Sequence, residues 1–395
     1  ICALYVEAAR TGVLAPEDAA LLTARSPAGR LADAVAPTLL VHAMDDTLFS
    51  LGQSLANAEE LVTADVPLAL RWVAGEHGGL PGPGSPAGRE MATWLDRWLA
   101  GEGRDDGVDV ATSPTFSWYD AVAGGQVSPE AEPGTLLGPM TTTTWVLADG
   151  TLVPRSGDED GPAAPDGVVG SLVVAHPPGG LPAALSSLPG LGALAGLLPA
   201  IDVPGQSVSV ETAALDEDLV LVGRPTLDLE VTALEQPAPS TADAPAPALL
   251  AKLYDVTPGG SATLLHSTVT PLRATVGRLE VPLEPVAHRF VAGNRLRLVL
   301  ATTDQALSTG RDPSIVVVDG STLSLALPVT TPPRTTTLPA LVRVLVPVAL
   351  VVATALLAAL VLRRRDAHVA AAAARPDAPA VVIERLAKRY ADGKV

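Results

Sequence analysis

The sequence predicts an open α/β domain, then an all-β sandwich, one transmembrane helix and the beginning of a further domain. Three observations predict this order. Helical and strand patterns alternate over the first hundred residues, and short β-branched runs separated by Gly, Pro and Asp fill residues 108–328. An uncharged apolar run then occupies residues 344–362. We therefore divide the chain into the segments 1–101, 102–330, 331–343 (linker), 344–362 (helix), 363–378 (linker) and 379–395.

Length and composition are those of a multidomain protein with a real apolar core. The chain has 395 residues, of which 48% are hydrophobic, with 35 Gly, 37 Pro and a single Cys. Such a length exceeds one ordinary core, and the Gly and Pro content is typical of many loops and a β-rich part. One Cys excludes an internal disulfide and a thiolate metal site. Because the chain starts with Ile1 rather than Met, we expect it to be part of a longer protein.

The charge distribution argues against nucleic-acid binding. The net charge is −17, but residues 363–395 hold eight Lys and Arg against four Asp and Glu. The remaining 362 residues therefore hold 18 basic against 39 acidic side chains, a net charge of −21. An acidic body of this kind repels phosphate backbones.

The first segment has an alternating strand and helix pattern. PTLLV at 37–41 and PLALRWV at 67–73 are apolar runs of strand length, and we expect the first to be buried on both faces. Ser50 followed by Gln53 predicts a capping box that begins a helix. Ser85 followed by a proline begins a second predicted helix. An apolar stripe predicts that this second helix closes the sheet, and it comprises Met91, Trp94, Leu95, Trp98 and Leu99.

An acid and a histidine follow the two predicted strands. Asp45 and Asp46 come after the first strand, and His77 lies in the loop GEHGG after the second. Loops at the carboxyl ends of neighbouring parallel strands meet at one edge of the sheet. RSPAGRLADAVAPTLLVHAMDDTLFSLGQSLANAEEL and RWVAGEHGG resemble the X-Pro dipeptidyl-peptidase and cocaine-esterase group of α/β-hydrolases. The resemblance implies that Asp46 is the triad acid and His77 the triad base, with Ala43 where the group usually has glycine.

The resemblance also implies a serine nucleophile outside this sequence. No Gly-x-Ser-x-Gly motif occurs in the chain, and in this fold the nucleophile precedes the acid. We therefore expect the serine upstream of Ile1, and residues 1–27 resemble the helical lid of the group. We expect Asp45 to face away as a solvated carboxylate. No metal and no cofactor are expected at this hydrolase site.

The second segment resembles the β-jelly-roll domain that follows the hydrolase domain in this group. The resemblance is carried by DEDLVLVGRPTLDLEV, AKLYDVTPGGSATLL and EPVAHRFVAGNRLRLVLATTD, and it implies a domain that lines the substrate cleft. His176, His266 and His288 are too far apart in sequence to indicate a metal site. The strand pattern predicts strands at 208–210, 219–222, 227–232, 249–256, 262–267, 279–283, 295–302 and 314–318.

The run VLVPVALVVATALLAALVL at 344–362 has the length of a membrane span. At about 1.5 Å per residue it reaches about 28 Å, close to the bilayer core. Three arginines follow it directly, which by the positive-inside rule makes 363–395 cytoplasmic and 1–343 extracytoplasmic. We expect a signal peptide or an earlier span before Ile1. The alternative is a helix buried in a soluble protein.

The last segment, PAVVIERLAKRYADGKV, resembles the opening strand of an ABC transporter ATP-binding domain. The resemblance implies that Tyr390, after Leu386 and Lys388, stacks on adenine in the longer protein. It also implies ATP and Mg²⁺ as ligands there, and a permease subunit as partner. The Walker A motif of such domains does not occur in the sequence.

These features favour a membrane-anchored extracytoplasmic serine hydrolase fused to an ATP-binding transporter domain. Its substrate would carry an amide or an ester bond, as in the dipeptidyl-peptidases and esterases that the chain resembles. The alternative is a transporter component whose hydrolase-like domain binds without catalysis, and the Ala43 departure keeps it open.

Overall fold

The computed structural model describes the chain in several stretches, all within one compact unit, Ile1–Arg334. The described residues are 2–11, 13–78, 82, 84–100, 115–129, 135–155, 170–177, 202–236, 246–304, 307, 309 and 312–331. The predicted transmembrane helix at 344–362, the predicted linkers at 331–343 (beyond residue 331) and 363–378, and the segment with Tyr390 lie outside them. Across the described stretches, no helix has the length and apolarity needed to cross a bilayer.

A four-stranded sheet carries the first part of the chain. Its strands are β1 (Thr38–Ala43), β2 (Leu68–Val73), β3 (Thr115–Asp120) and β4 (Gly125–Val127), in that order. The pairs β1–β2 and β2–β3 are parallel, and β3–β4 is antiparallel. The described helices are α1 (Cys2–Thr11), α2 (Pro16–Arg25), α3 (Leu51–Thr63) and α4 (Pro86–Leu95). The predicted alternation of strand and helix is therefore present.

Strand position decides which of the two predicted apolar strands is buried. Strand β2 lies between β1 and β3 and is buried except at Arg71. Strand β1, predicted to be buried on both faces, is only half-buried along its whole length. It has a single partner, β2, among the described strands, which explains the difference.

Helices α3 and α4 begin at the predicted residues with different capping. Ser85 accepts a hydrogen bond from the Gly88 N–H at 3.0 Å, so its side chain caps α4 as expected. Ser50 occupies the cap position of α3, but its side chain accepts no capping hydrogen bond. The predicted capping box is therefore wrong in its contacts, although the helix starts where it was predicted. The buried face of α3 comprises Leu51, Gly52, Ser54, Leu55, Ala58 and Leu61.

The apolar stripe of α4 packs less completely than its spacing predicts. The rings of Trp94 and Trp98 lie 5.8 Å apart, but Leu95 and Leu99 are exposed by 53% and 81%. The α-helix ends at Leu95 and continues as a π-helical turn over Asp96–Ala100, which changes the side-chain period. An ion pair between Arg71 and Glu90, at 2.5 Å, ties α4 to the sheet.

Thirteen further strands build the predicted all-β domain. They follow one another through antiparallel pairs, apart from the parallel contact of β6 with β8. Their bounds are β5 (Thr141–Ala148), β6 (Thr151–Pro154), β7 (Ser171–His176), β8 (Ser207–Thr212), β9 (Leu219–Gly223), β10 (Thr226–Glu235), β11 (Ala248–Val256), β12 (Ala262–Leu264), β13 (Thr270–Arg273), β14 (Gly277–Pro282), β15 (Val286–Phe290), β16 (Arg295–Ala301) and β17 (Ser314–Thr330).

Alternation along the strands creates the main apolar core of the sandwich. In β10, Leu227, Leu229 and Val231 are fully buried, whereas the acidic residues between them point to the other face. Strands near opposite ends of the pairing path, such as β11 and β10, contribute to the same core cluster. The sheet therefore folds over to face itself, as a sandwich does.

The sheet that β3 and β4 join and the end of one predicted strand differ from the sequence-based expectation. Strands β3 and β4 belong to the first sheet, although they lie beyond the predicted boundary at residue 101. A strand pattern in the sequence indicates an extended segment but does not identify the sheet that it joins. The strand predicted at 262–267 ends at Leu264, because His266 and Ser267 adopt φ values of 50° and 49° in a 3₁₀ turn.

Candidate active site

The loop between β1 and α3 holds the candidate acid. We call residues 44–52 the acid loop. Its first two residues continue the hydrogen bonding between β1 and β2 beyond the end of β1. The N–H of Met44 donates to the carbonyl oxygen of Val73 at 2.8 Å, and the N–H of Asp45 donates to that of Gly75 at 3.0 Å. The carboxyl end of β1 is thereby tied to the chain that leads into the loop of His77. This is the edge of a parallel sheet at which functional loops gather.

Asp46 is held as a carboxylate by three donors. Its Oδ1 accepts hydrogen bonds from the N–H groups of Leu48 and Phe49, both at 2.9 Å. Its Oδ2 lies 2.9 Å from Nδ1 of His77. Burial by itself opposes ionisation, but the hydrogen bonds from Phe49, His77 and Leu48 outweigh it and lower the pKa of Asp46 below its ordinary value of 3.8.

His77 lies against the acid loop with its other ring edge accessible. The side chain is 48% exposed, and its ring centroid is 5.6 Å from that of Phe49. Because the Asp46 carboxylate only accepts, Nδ1 carries the proton in this hydrogen bond and Nε2 is the nitrogen left for other chemistry. The structure thus brings together the two residues that the sequence singled out, in the geometry of an acid that orients a histidine.

A second histidine supports the acid loop from β1. Nε2 of His42 lies 2.9 Å from the carbonyl oxygen of Phe49 and 3.8 Å from Oδ2 of Asp46. A carbonyl oxygen accepts only, so the ring donates and fixes the far side of the loop. His42 precedes Asp46 by four residues in the same motif, but its contact with the loop depends on a backbone geometry that the sequence does not indicate.

Asp45 does not simply face solvent, as was expected. It is half exposed, but its Oδ1 lies 3.8 Å from Nδ1 of the buried His266 of the sandwich. The ring of His266 is 6.5 Å from that of His288, whose Nε2 contacts Asp255 at 2.9 Å. Histidines predicted to be scattered are therefore neighbours at the junction of the two sheets.

The acid loop and the sandwich share a continuous core. Buried residues of β9 and β15, namely Val220, Val222 and Ala287, cluster with Leu51 and Leu55 of α3. The third histidine, His176, is buried in the sandwich, away from His266 and His288. Its Nδ1 lies 3.0 Å from the carbonyl oxygen of Thr302. Over the described stretches, no group of three His, Cys, Asp or Glu side chains is placed to bind a metal ion.

A protein-family comparison and a search of solved structures give consistent matches. The family model described as the X-Pro dipeptidyl-peptidase C-terminal non-catalytic domain matches residues 109–316, more than half of the chain. Among curated proteins, none matches. The solved structures include an aminopeptidase from a marine sediment archaeon, Thaumarchaeota archaeon, at 15% identity and a TM-score of 0.51, over 75% of this chain and 55% of that one.

Two further solved structures have similar coverage. An α-amino acid ester hydrolase labelled with selenomethionine matches at 16% identity and a TM-score of 0.51, over 76% of this chain and 56% of that one. A CocE/NonD family hydrolase from Staphylococcus aureus matches at 15% identity and a TM-score of 0.47, over 76% and 55%. The chain thus spans little more than half the length of these structures. The two matches with a TM-score of 0.51 show that the fold is shared.

Proposed function

Because this chain belongs to the family of the X-Pro dipeptidyl-peptidase C-terminal non-catalytic domain, we propose that it forms the C-terminal part of a serine hydrolase. The observation that carries the proposal is the 2.9 Å contact between Nδ1 of His77 and an Asp46 carboxylate that is kept ionised. In this proposal the bond that is cleaved is an amide or an ester. The names of the structural relatives, an aminopeptidase and an ester hydrolase, support that substrate range.

Each residue of the pair has a defined step in the proposed reaction. Nε2 of His77 removes the proton from a serine hydroxyl as its oxygen attacks the carbonyl carbon, and the same proton is then given to the leaving amine or alcohol. The resulting acyl-serine is hydrolysed by a water that His77 deprotonates in the same way. Asp46 stays ionised throughout, fixes the tautomer of His77 and stabilises the imidazolium that forms in each half-reaction.

A fluorophosphonate probe tests this proposal in the full-length protein. We expect one serine to be labelled, and His77→Ala to slow the labelling by at least about 10³-fold. Glu76→Ala, an exposed neighbour in the same loop, is the matched control and should label normally. Absence of labelling, or labelling that His77→Ala leaves unchanged, would contradict catalysis.

The competing function is a binding domain without catalysis, which the departure at Ala43 favours. The non-catalytic description applies to residues 109–316, however, and both Asp46 and His77 lie outside that range. Binding alone does not require a largely enclosed carboxylate that orients a half-exposed histidine. If a peptide or ester ligand binds the full-length protein with no turnover and no serine labelling, the binding function is correct.

The remaining part of the proposal concerns the membrane. We infer that residues 344–362 anchor the protein, with residues 1–343 outside the cytoplasm, and that 379–395 begin an ATP-binding transporter domain with Tyr390 at the adenine and a permease subunit as partner. The uncharged run and the three arginines after it support this topology. The test is carbonate extraction of membranes followed by protease treatment of intact cells. Release by carbonate, or protection of residues 1–343, would contradict it.

A further inference from the structure

The sandwich contacts the acid loop at its helical end through Glu284. A Cβ atom built on Gly52, at the end of the loop, would lie 2.5 Å from Oε2 of Glu284. That oxygen is buried, and it has no hydrogen-bond partner among the described residues. Glu284 is fixed in turn by its own N–H, which donates to Oγ1 of Thr270 at 2.9 Å. A sandwich carboxylate is therefore pressed against the backbone of the first turn of α3.

Helix α3 lacks the usual negative partner at its N-terminus. The Ser50 side chain makes no capping hydrogen bond, and no acidic residue lies in the first turn. The N-terminal end of a helix carries partial positive charge, which a nearby carboxylate stabilises. The carboxyl group of Glu284, more than 200 residues away along the chain, lies against this end of the helix, and the absence of a side chain at Gly52 lets it approach.

The sandwich contacts the first part of the acid loop through His266. Nδ1 of this buried ring lies 3.8 Å from Oδ1 of Asp45, and Nε2 lies 3.2 Å from the backbone N and O of Ala287. His266 and Ser267 both have φ near 50°, a conformation that is costly for residues with a side chain. The strained turn brings the ring to the residue next to Asp46.

We propose that Glu284 and His266 are positioning residues, through which the sandwich holds the acid loop so that Asp46 orients His77. The two contacts lie on either side of Asp46, at Asp45 and at Gly52. The catalytic meaning of this inference rests on the proposed hydrolase function, but the restraint on the loop does not. Through these two contacts, the family's non-catalytic domain would act on catalysis by holding the acid loop.

Hydrogen exchange of the full-length protein tests the restraint independently of activity. In Glu284→Gln, which keeps the shape but removes the charge, we expect the amides of residues 44–53 to exchange about 3- to 10-fold faster. Glu280→Gln, an exposed glutamate on β14, is the matched control. Exchange in β8 should stay unchanged in both variants. Equal exchange of the acid loop in Glu284→Gln and Glu280→Gln would overturn the assignment of Glu284.

Gly52→Ala is a second variant, and its expected effect on hydrogen exchange is opposite to the effect that helix propensity alone predicts. Alanine favours a helix over glycine, yet its Cβ would displace the Glu284 carboxylate. We expect faster exchange in the acid loop of Gly52→Ala, and no further increase when Gly52→Ala is added to Glu284→Ala. Additive effects of the two substitutions would mean that Glu284 and Gly52 do not act through their contact.

The His266 contact is tested with a residue that tolerates its backbone. Asparagine adopts positive φ more readily than most residues, so His266→Asn removes the ring with little added strain. His176→Asn, at another buried histidine of the sandwich, is the control. We expect faster exchange around Asp45 in His266→Asn alone. Unchanged exchange there would remove His266 from the proposal.

Kinetics separate this inference from the proposed function. If the enzyme is active, Glu284→Gln should lower kcat by about 10- to 100-fold with a smaller change in KM, because a misplaced acid affects the transition state. Unchanged kcat together with faster loop exchange would overturn the link to catalysis. If the wild-type protein neither labels nor turns over, the proposed function fails, while the exchange experiment still decides the restraint.

Discussion

Arg289 and Asp120 form an ion pair at 2.7 Å that joins the sandwich to the first sheet. Both side chains are almost closed to solvent, with 7% and 1% exposed. Oδ1 of Asp120 also accepts hydrogen bonds from the N–H groups of Val122 and Ala123, so the turn after β3 depends on the same carboxylate. The junction beneath the candidate site therefore contains a buried polar contact as well as a shared apolar core.

Breaking this pair from one side should be costly. Arg289→Met leaves the Asp120 carboxylate buried without its cation, and we expect the free energy of unfolding to fall by about 3 kcal/mol. The double variant Arg289→Met/Asp120→Asn should lose less than the sum of the single losses, because the second change removes the uncompensated charge. Urea denaturation measures all three variants. A loss below about 1 kcal/mol for Arg289→Met would contradict the prediction.

The sandwich contains a second buried ion cluster. Here too, we expect removal of one charged partner to cost more stability than removal of all the charges. Nζ of Lys252, on β11, is fully buried and lies 2.8 Å from Asp202 and 2.7 Å from Asp304. Burial opposes its charge, but the two carboxylates outweigh burial and raise the pKa of Lys252. Lys252→Met should therefore lower the free energy of unfolding by about 3–5 kcal/mol.

The control for Lys252 removes the charges as well as the ammonium. In the triple variant Lys252→Met/Asp202→Asn/Asp304→Asn, no carboxylate is left facing another, and we expect most of the lost stability to return. Thermal or urea unfolding of both variants gives the comparison. A triple variant that is less stable than Lys252→Met would show that the cluster contributes through its hydrogen bonds more than through its charge balance.

Low pH should remove the contribution of the ionised Asp46 carboxylate to the free energy of unfolding. Since the pKa of Asp46 is lowered in the folded protein, its contribution is complete above the ordinary value of 3.8 and is lost as the pH falls through the lowered folded value. Asp46→Asn should be less stable than wild type by about 1–3 kcal/mol at pH 7. This difference should shrink below pH 3.8. Asp65→Asn, at an exposed carboxylate after α3, is the control. A difference that is constant from pH 7 to pH 2.5 would contradict the assignment.

The same substitution has a larger expected effect on turnover. Asp46→Asn keeps the size of the side chain, but its amide can present N–H to His77 and favour the wrong tautomer. In the full-length enzyme we expect kcat to fall by about 10⁴-fold with little change in KM. Steady-state kinetics with an aminoacyl ester and an X-Pro amide provide the measurement. A fall of less than about 10-fold would mean that His77 does not depend on Asp46 for its orientation.

Local sequence information was sufficient to predict that Asp46 and His77 lie close together, but not which residues surround them. Asp46 and His77 follow consecutive parallel strands, so their proximity follows from the chain order. Glu284 and His266 reach the acid loop from more than 200 residues away, and no local period records such a contact. The predicted strand runs to Ser267, because neither His266 nor Ser267 is a glycine or asparagine that would indicate their positive φ values.

The sequence also does not show which sheet each strand joins. The all-β domain was predicted because alternation, as in Leu227, Leu229 and Val231, marks a buried face. Alternation does not identify a partner strand, so the sequence does not show that Thr115–Asp120, within the segment 102–330, joins the first sheet. The Ser50 side chain makes no capping hydrogen bond, and the carboxyl group that lies near this helix end, that of Glu284, is too distant in sequence for a local motif to indicate it.

The length of β17 has a consequence for how the protein folds during synthesis. Its first half pairs with β7 and β10, and its second half with β5, β9 and β10. Strands β5, β7 and β9 are synthesised before β17, so one edge of each stays unpaired until β17 has been synthesised. Non-local pairing of this kind is slow and prone to aggregation. The nascent chain needs residues up to Thr330 outside the ribosome before the sandwich can close.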